Sequence, residues 1–257
     1  ITDLSVGYKH RVVASHLTAH LQGGTLTALV GANGMGKSTL LRTLAGVQPP
    51  LAGTVTLVAD GVERQLSELS RRELSRWIGV VLTDRVEVEN LTVEQLVGMG
   101  RMPYTGFFGR LNDDDRRMVG EALAMTGLTP LAQRQVGTLS DGERQKMMIA
   151  KALAQQTPVV LLDEPTAFLD FHGKVELLTL LRRLAHNEGK TILLSTHDLE
   201  AALQTADRLW MLDKDGIHEG EPKLLVANGD VDRYIGQKGV SVDKDFRIKI
   251  SVSDNNN

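Results

Sequence analysis

Residues 25–46 read TLTALVGANGMGKSTLLRTLAG, and the order of their parts decides the fold. TLTALV (25–30) is a short apolar run of the buried-strand type, GANGMGKS (31–38) is a glycine-bearing loop, and TLLRTLAG reads as a helix closed by Gly46, with Pro49 and Pro50 beyond it. The stretch is strand, tight loop, helix. Farther on, VVLL (159–162) and TILL (191–194) are apolar runs bounded by turn or polar residues. Between them VELLTLLRRLAH carries apolar residues at 175, 178, 181 and 184, the spacing of a helix. Strand, helix, strand in this order predicts a parallel sheet and an α/β fold.

Gly31, Gly36, Lys37 and Ser38 fill the pattern G-x-x-x-x-G-K-[ST] between that strand and that helix. Glycines let such a loop curl so that backbone N–H groups point at phosphate oxygens. The helix N-terminus adds the positive end of its dipole, and Lys37 supplies a full charge to β- and γ-phosphates. Ser38 is then expected to offer its hydroxyl oxygen to Mg²⁺. Asp163 and Glu164 follow VVLL, which places adjacent carboxylates at the C-terminal end of a strand, where open α/β sheets bind ligands. A DE pair there is by itself more often a solvated strand end; beside the upstream loop it reads as a metal ligand, Asp163, and a base for the attacking water, Glu164.

The bulk composition narrows the remaining classes. The chain has 257 residues, 42% hydrophobic, enough for one large domain with an insertion. A net charge of −3 gives no reason to expect a nucleic-acid partner, and the absence of cysteine excludes disulfides and thiolate chemistry. No apolar run is long enough to span a bilayer, and the N-terminal residues lack the order of a signal peptide. A soluble chain is expected, with Ile1 in place of Met pointing to a trimmed start.

LSDGERQ (139–145) shortly before VVLLDEPTAFLD (159–170), followed by STHD (195–198), resembles the nucleotide-binding subunits of ATP-binding cassette (ABC) transporters over roughly residues 1–220. The resemblance implies a P-loop NTPase core of RecA-like type, an N-terminal antiparallel β subdomain and an inserted helical subdomain, here placed at about 84–157. It implies ATP and Mg²⁺ as ligands, with nucleotide contacts at Gly31, Asn33, Gly34, Gly36, Lys37, Ser38 and Thr39. Tyr8 would stack on adenine, His197 would contact the γ-phosphate, and Asp170 would form the loop linking two sites. In that family two cassettes sandwich two ATP molecules, so Ser140 and Gly142 would complete the site of a second copy. A homodimer of cassettes is expected, held peripherally at the cytoplasmic face of the inner membrane by transmembrane permease subunits, with an extracytoplasmic substrate-binding protein as indirect partner.

Ser140-x-x-Glu143 is also a capping box for a helix through MMIAKALA, which would aim free N–H groups at a partner's phosphate. The family usually has glycine where Asp141 stands; here Asp141 is expected at the first helical position, turned away from ATP. After WIGVVL (77–82) the family places a glutamine that touches Mg²⁺ and water, but this chain has Thr83 followed by Asp84. The contact would then come from Thr83 through a water, or from Asp84. LTVEQLVGMGRMPYTGFFGRLNDDD (91–115) is similar to the helical subdomain of importer ATPases for iron–siderophore complexes, haem and cobalamin. Its aromatics Tyr104, Phe107 and Phe108 either pack that subdomain or dock on a membrane partner. A soluble ABC ATPase acting on ribosomes or DNA is the rival reading. From 221 to 257 the pattern weakens into a C-terminal extension ending in SDNNN, read as a partly disordered tail in which VDKDFRIKI could form a strand or a subunit contact.

Overall fold

The computed structural model describes residues 1–9, 11–59, 61–82, 90–106, 109–236 and 239–250. The chain opens with the hairpin β1 (Thr2–Tyr8) and β2 (Arg11–Leu17), and enters the core through β3 (Leu26–Gly31) and α1 (Lys37–Leu44). It then returns to the edge with β4 (Ala52–Thr54), β5 (Thr56–Ala59) and β6 (Val62–Gln65). β1 lies between β2 and β4, antiparallel to both, and β5 pairs with β6. This is the antiparallel portion.

α2 (Arg71–Trp77) leads into β7 (Ile78–Val81), after which come α3 (Val93–Gly98), α4 (Asp113–Met125) and α5 (Asp141–Ala154). β8 (Val159–Leu162), α6 (Phe171–Glu188), β9 (Thr191–Thr196), α7 (Leu199–Thr205), β10 (Arg208–Asp213) and β11 (Gly216–Gly220) complete the main sheet. Its order is β11-β10-β3-β9-β8-β7, parallel from β10 to β7 with β11 antiparallel at the edge. β3 and β9 are buried along their whole length because both faces of the sheet are covered, which is why they read as continuous apolar runs. Period-two alternation divides them: Ala28, Val30, Val160, Leu162, Ile192 and Leu194 face one core, while Leu29, Leu161 and Leu193 face the core shared with α1.

Four helices start with reciprocal capping boxes, Ser70 with Glu73, Thr92 with Gln95, Asn112 with Asp115, and Ser140 with Glu143. The acidic stretch NDDDRR is more than a solvated face. Asp115 is buried; its Oδ2 accepts the Asn112 N–H, and its Oδ1 lies 2.9 Å from Nε of the equally buried Arg101. Arg101 also donates to the C-terminal carbonyl of α5 at Ala154, 2.8 Å away. One guanidinium therefore joins the start of α4 to the end of α5. Tyr104 lies 4.1 Å from that guanidinium at its ring centroid and donates its hydroxyl to the Gln155 carbonyl, so it packs its own helical segment; Phe107 and Phe108 lie outside the described residues.

The region after Gly220 carries short elements, one of them a strand within VDKDFRIKI. α8 (Pro222–Ala227), α9 (Asp230–Ile235), β12 (Val240–Val242) and β13 (Ile248–Ile250) follow, with Leu225, Val231 and Val242 buried in the main core. The Asp232 carboxylate accepts the Val242 N–H, tying the β12–β13 hairpin to α9. These elements are too short to show a period in sequence, yet Leu225, Val231 and Val242 point inward while Leu224 stays exposed. SDNNN lies outside the described residues.

Arg101→Met should leave the Asp115 carboxylate buried without its partner and lower unfolding free energy by about 3 kcal/mol in urea denaturation; an unchanged midpoint would show the pair to be neutral. Burial pushes the Asp115 carboxyl up, but the Arg101 hydrogen bond, the Asn112 N–H and the Arg101 charge together hold it below its ordinary value. Its folded-state pKa is depressed, so its stabilisation is complete above about pH 4 and is lost as the pH falls through the folded value.

Candidate functional site

At the C-terminal end of β3 the chain must turn without side-chain obstruction. Gly34 has φ +84° and Gly36 φ +100°, in the left-handed region that favours glycine. A Cβ at Gly36 would sit 2.8 Å from Val13 Cγ1, so β2 presses the loop from behind. Asn33 and Gly34 are exposed at the tip, and Gly31 is buried at the root. The loop delivers the chain into α1, whose first turn carries no acidic residue against an incoming anion.

Lys37, 6% exposed, bends back to donate to the Gly31 carbonyl at 2.7 Å, and its Nζ lies 3.8 Å from Oε1 of Glu164. Ser38 donates through Oγ to Oδ1 of Asp163 at 3.0 Å. Asp163 is 4% exposed, with its N–H on the Val81 carbonyl, which holds the end of β8 against β7. Hydroxyl and carboxylate oxygens thus meet in one buried place, a donor set that suits a hard cation already holding phosphate oxygens. Oε2 of Glu164 lies 3.0 Å from Nδ1 of His197, whose side chain is largely exposed. Thr39, on the second residue after Lys37, donates to the hydroxyl of Tyr8 at 3.3 Å, so the half-exposed Tyr8 ring stands beside the start of α1.

The predicted residues fall into two groups. Lys37, Ser38, Asp163, Glu164 and His197 meet around the loop, with Thr39 and Tyr8 at its flank. Ser140, Gly142 and Asp170 belong to a second group at the starts of α5 and α6. Ser140 caps α5, accepting the Glu143 N–H at 3.3 Å, and Asp170 caps α6, accepting the Gly173 N–H at 2.8 Å. Leu169 lies between the starts of α5 and α6, 3.9 Å from the position a Cβ would take on Gly142 and 3.4 Å from that on Gly173. Asp141 is the first helical residue of α5 and is exposed. Thr83 and Asp84 lie outside the described residues.

Ser195 is the member that sequence reasoning passed over. It is fully buried on β9, donates to Oδ1 of Asp163 at 2.7 Å and accepts the Glu164 N–H at 2.9 Å. The signal was its position two residues after Leu193, which on a strand puts both side chains on one face, and two before His197.

The position of Asp141 leads to a paired test by ATPase assay. Asp141→Gly should leave hydrolysis within a few-fold of wild type and cost less than about 1 kcal/mol of stability, whereas Gly142→Asp should abolish hydrolysis while the fold persists, since the site has space for a side chain but not for a negative charge. A severe loss in Asp141→Gly would put its carboxylate in the site.

Residues 14–167 match the family model described as ABC transporter. The chain is 38% identical over 242 residues to the ferric enterobactin transport ATP-binding protein FepC of Escherichia coli, covering 94% of this chain and 88% of that protein. It is 36% identical over 250 residues to the iron(3+)-hydroxamate import ATP-binding protein FhuC of Bacillus subtilis, covering 97% and 91%. Among solved structures it is similar to cbiO1 of Clostridium perfringens, part of the ABC transporter complex cbiONQ, with TM-score 0.76, 28% identity and coverage of 93% and 94%. It is also similar to the dimeric ATP-binding cassette MJ0796 in a post-hydrolysis state with ADP and Pi, with TM-score 0.72, 26% identity and coverage of 86% and 97%. With the phosphate loop, the carboxylate pair and the RecA-like sheet in place, the chain belongs to the ABC transporter family, as an ATP-binding and ATP-hydrolysing subunit.

Proposed function

We propose that this chain energises an importer of iron–siderophore complexes or of the related chelates haem and cobalamin. The observation that carries this reading is its similarity to FepC and FhuC across nearly the whole chain, beyond the nucleotide motifs alone. A cobalamin import ATP-binding protein of Halobacterium salinarum, 38% identical over 95% of this chain, supports the wider chelate class. None of these relatives favours ribosomes or DNA.

In the proposed mechanism the loop residues Gly31, Asn33, Gly34, Gly36 and Lys37 bind the phosphates and Tyr8 stacks on adenine, its ring steadied by Thr39. Ser38 and Asp163 would hold Mg²⁺, and Thr83, outside the described residues, would contact it through a water; when bound, the ion offsets phosphate charge. Glu164 orients the attacking water and takes its proton as the new bond to the γ-phosphorus forms and the bond to the β–γ bridging oxygen breaks. His197 steadies the Glu164 carboxylate and reaches the γ-phosphate. A second copy supplies Ser140 and Gly142 at the start of its α5, where the N–H groups of Asp141 and Gly142, which the capping box does not use, and the helix dipole suit an anion. Asp170 links the two sites. ATP binding would close the dimer against permease subunits at the cytoplasmic face of the membrane, with an extracytoplasmic binding protein delivering cargo. The chain's role at the membrane is peripheral in this reading, consistent with the absence, among the described residues, of a helix long and apolar enough to cross it.

Glu164→Gln should lower hydrolysis at least about 100-fold with ATP affinity retained. Expressed in the native host and cross-linked in membranes with ATP, it should co-purify with a multi-span permease. Recovery of ribosomal or DNA-associated proteins in its place would sink the transport reading while leaving the ATPase chemistry standing.

A further inference from the structure

We infer that Ser195 is a positioning residue for hydrolysis, whose hydroxyl sets the backbone of Glu164 and the carboxylate of Asp163 in one act; the catalytic part of this inference rests on Glu164 being the base. The geometry starts with register. β8 and β9 run parallel with Leu162 beside Leu194, so Asp163 and Ser195 come next on their strands. Leu161 and Leu193 face the core shared with α1, and two residues on, Asp163 and Ser195 face the same way. His197 follows two residues later, just past the end of β9.

A serine hydroxyl has one proton to give and lone pairs to receive, and both capacities are used here. Ser195 gives its proton to Asp163 Oδ1, 2.7 Å away, and accepts the Glu164 N–H at 2.9 Å. His197 takes the other end of the same residue at Oε2 of its carboxylate. Ser195 on β9 and His197 just beyond it therefore grip Glu164 at two points, one on the backbone and one on the side chain.

The backbone grip has something to hold. Glu164 has φ +48°, a left-handed conformation rare for a residue with a side chain, and it precedes Pro165, whose ring further restricts the residue before it. A strained residue persists where its surroundings over-determine it. Ser195 supplies a bond that exists only when the Glu164 N–H points into the sheet end. Because the same oxygen also bonds Asp163, which in turn accepts from Ser38, a rotation at Glu164 disturbs the oxygen that faces α1.

The test compares Ser195→Ala, Ser195→Val and Ser195→Thr in the full chain, the last two having the same shape but differing in the hydroxyl. Amide hydrogen exchange at Glu164 in the nucleotide-free protein should be at least about 10-fold faster in the Ala and Val variants than in wild type, with Thr protected. In ATP hydrolysis kcat should fall at least about 10-fold in Ala and Val with KM for ATP within about 3-fold, and Thr should retain the wild-type rate. Unchanged exchange at Glu164 in Ser195→Ala overturns the inference, as does an equal rate in the Val and Thr variants. Should the extra methyl of Thr and Val prevent folding at this buried position, the exchange comparison of Ala with wild type decides alone. Failure of the base assignment is separately visible: Glu164→Gln would then hydrolyse ATP normally, whatever the exchange data show.

Discussion

The acceptance of two hydroxyl protons by one carboxylate oxygen is the constraint on which the site depends. Oδ1 of Asp163 takes Ser38 from α1 and Ser195 from β9 while its own strand ends on β7 through the Asp163 N–H. Three neighbouring elements are thus pinned at a point where the sheet stops and the phosphate loop begins. A buried carboxylate without such partners would be driven to its neutral form or out into water. Here two hydroxyls satisfy it.

The candidate residues of a single chain stand in two separate places. The loop, carboxylates and histidine stand at the C-terminal ends of β3, β8 and β9, where parallel strands in an open sheet leave a crevice. Ser140 and Gly142 stand at the start of α5, where the Ser140 backbone N–H holds the Glu143 carboxyl below its ordinary value. The helical segment that bears them is braced by the Arg101 and Asp115 pair, so the signature is carried on a rigid body with its own internal tie.

Much of this was legible because its chemistry demands particular residue types at particular intervals. The glycines and Lys37 mark a phosphate loop whatever the fold, VVLL coincides with β8, and Ser140 with Glu143 caps the helix that the sequence assigns to it. Ser195 was not legible as a functional residue, since a serine after an apolar run has no period or motif of its own and acquires meaning only from the register of β8 on β9. Arg101 and Asp115 were hidden among other charges, which ordinarily mark a solvated face, and their burial depends on how α4 meets α5. The segment after Gly220 shows only a weak pattern for a third reason: helices of six residues and strands of three lie below the length at which periodicity can be read.

The left-handed backbone of Glu164 also bears on how such a protein can evolve. Glycine at this position would relax a conformation that costs an L residue about 1 kcal/mol or more, so the most comfortable residue for the fold is one that cannot do the chemistry. Robustness and turnover pull in opposite directions at one codon. Lineages released from the need to hydrolyse ATP, or laboratory selections that reward heat resistance alone, would therefore drift away from glutamate here sooner than at the relaxed residues around it.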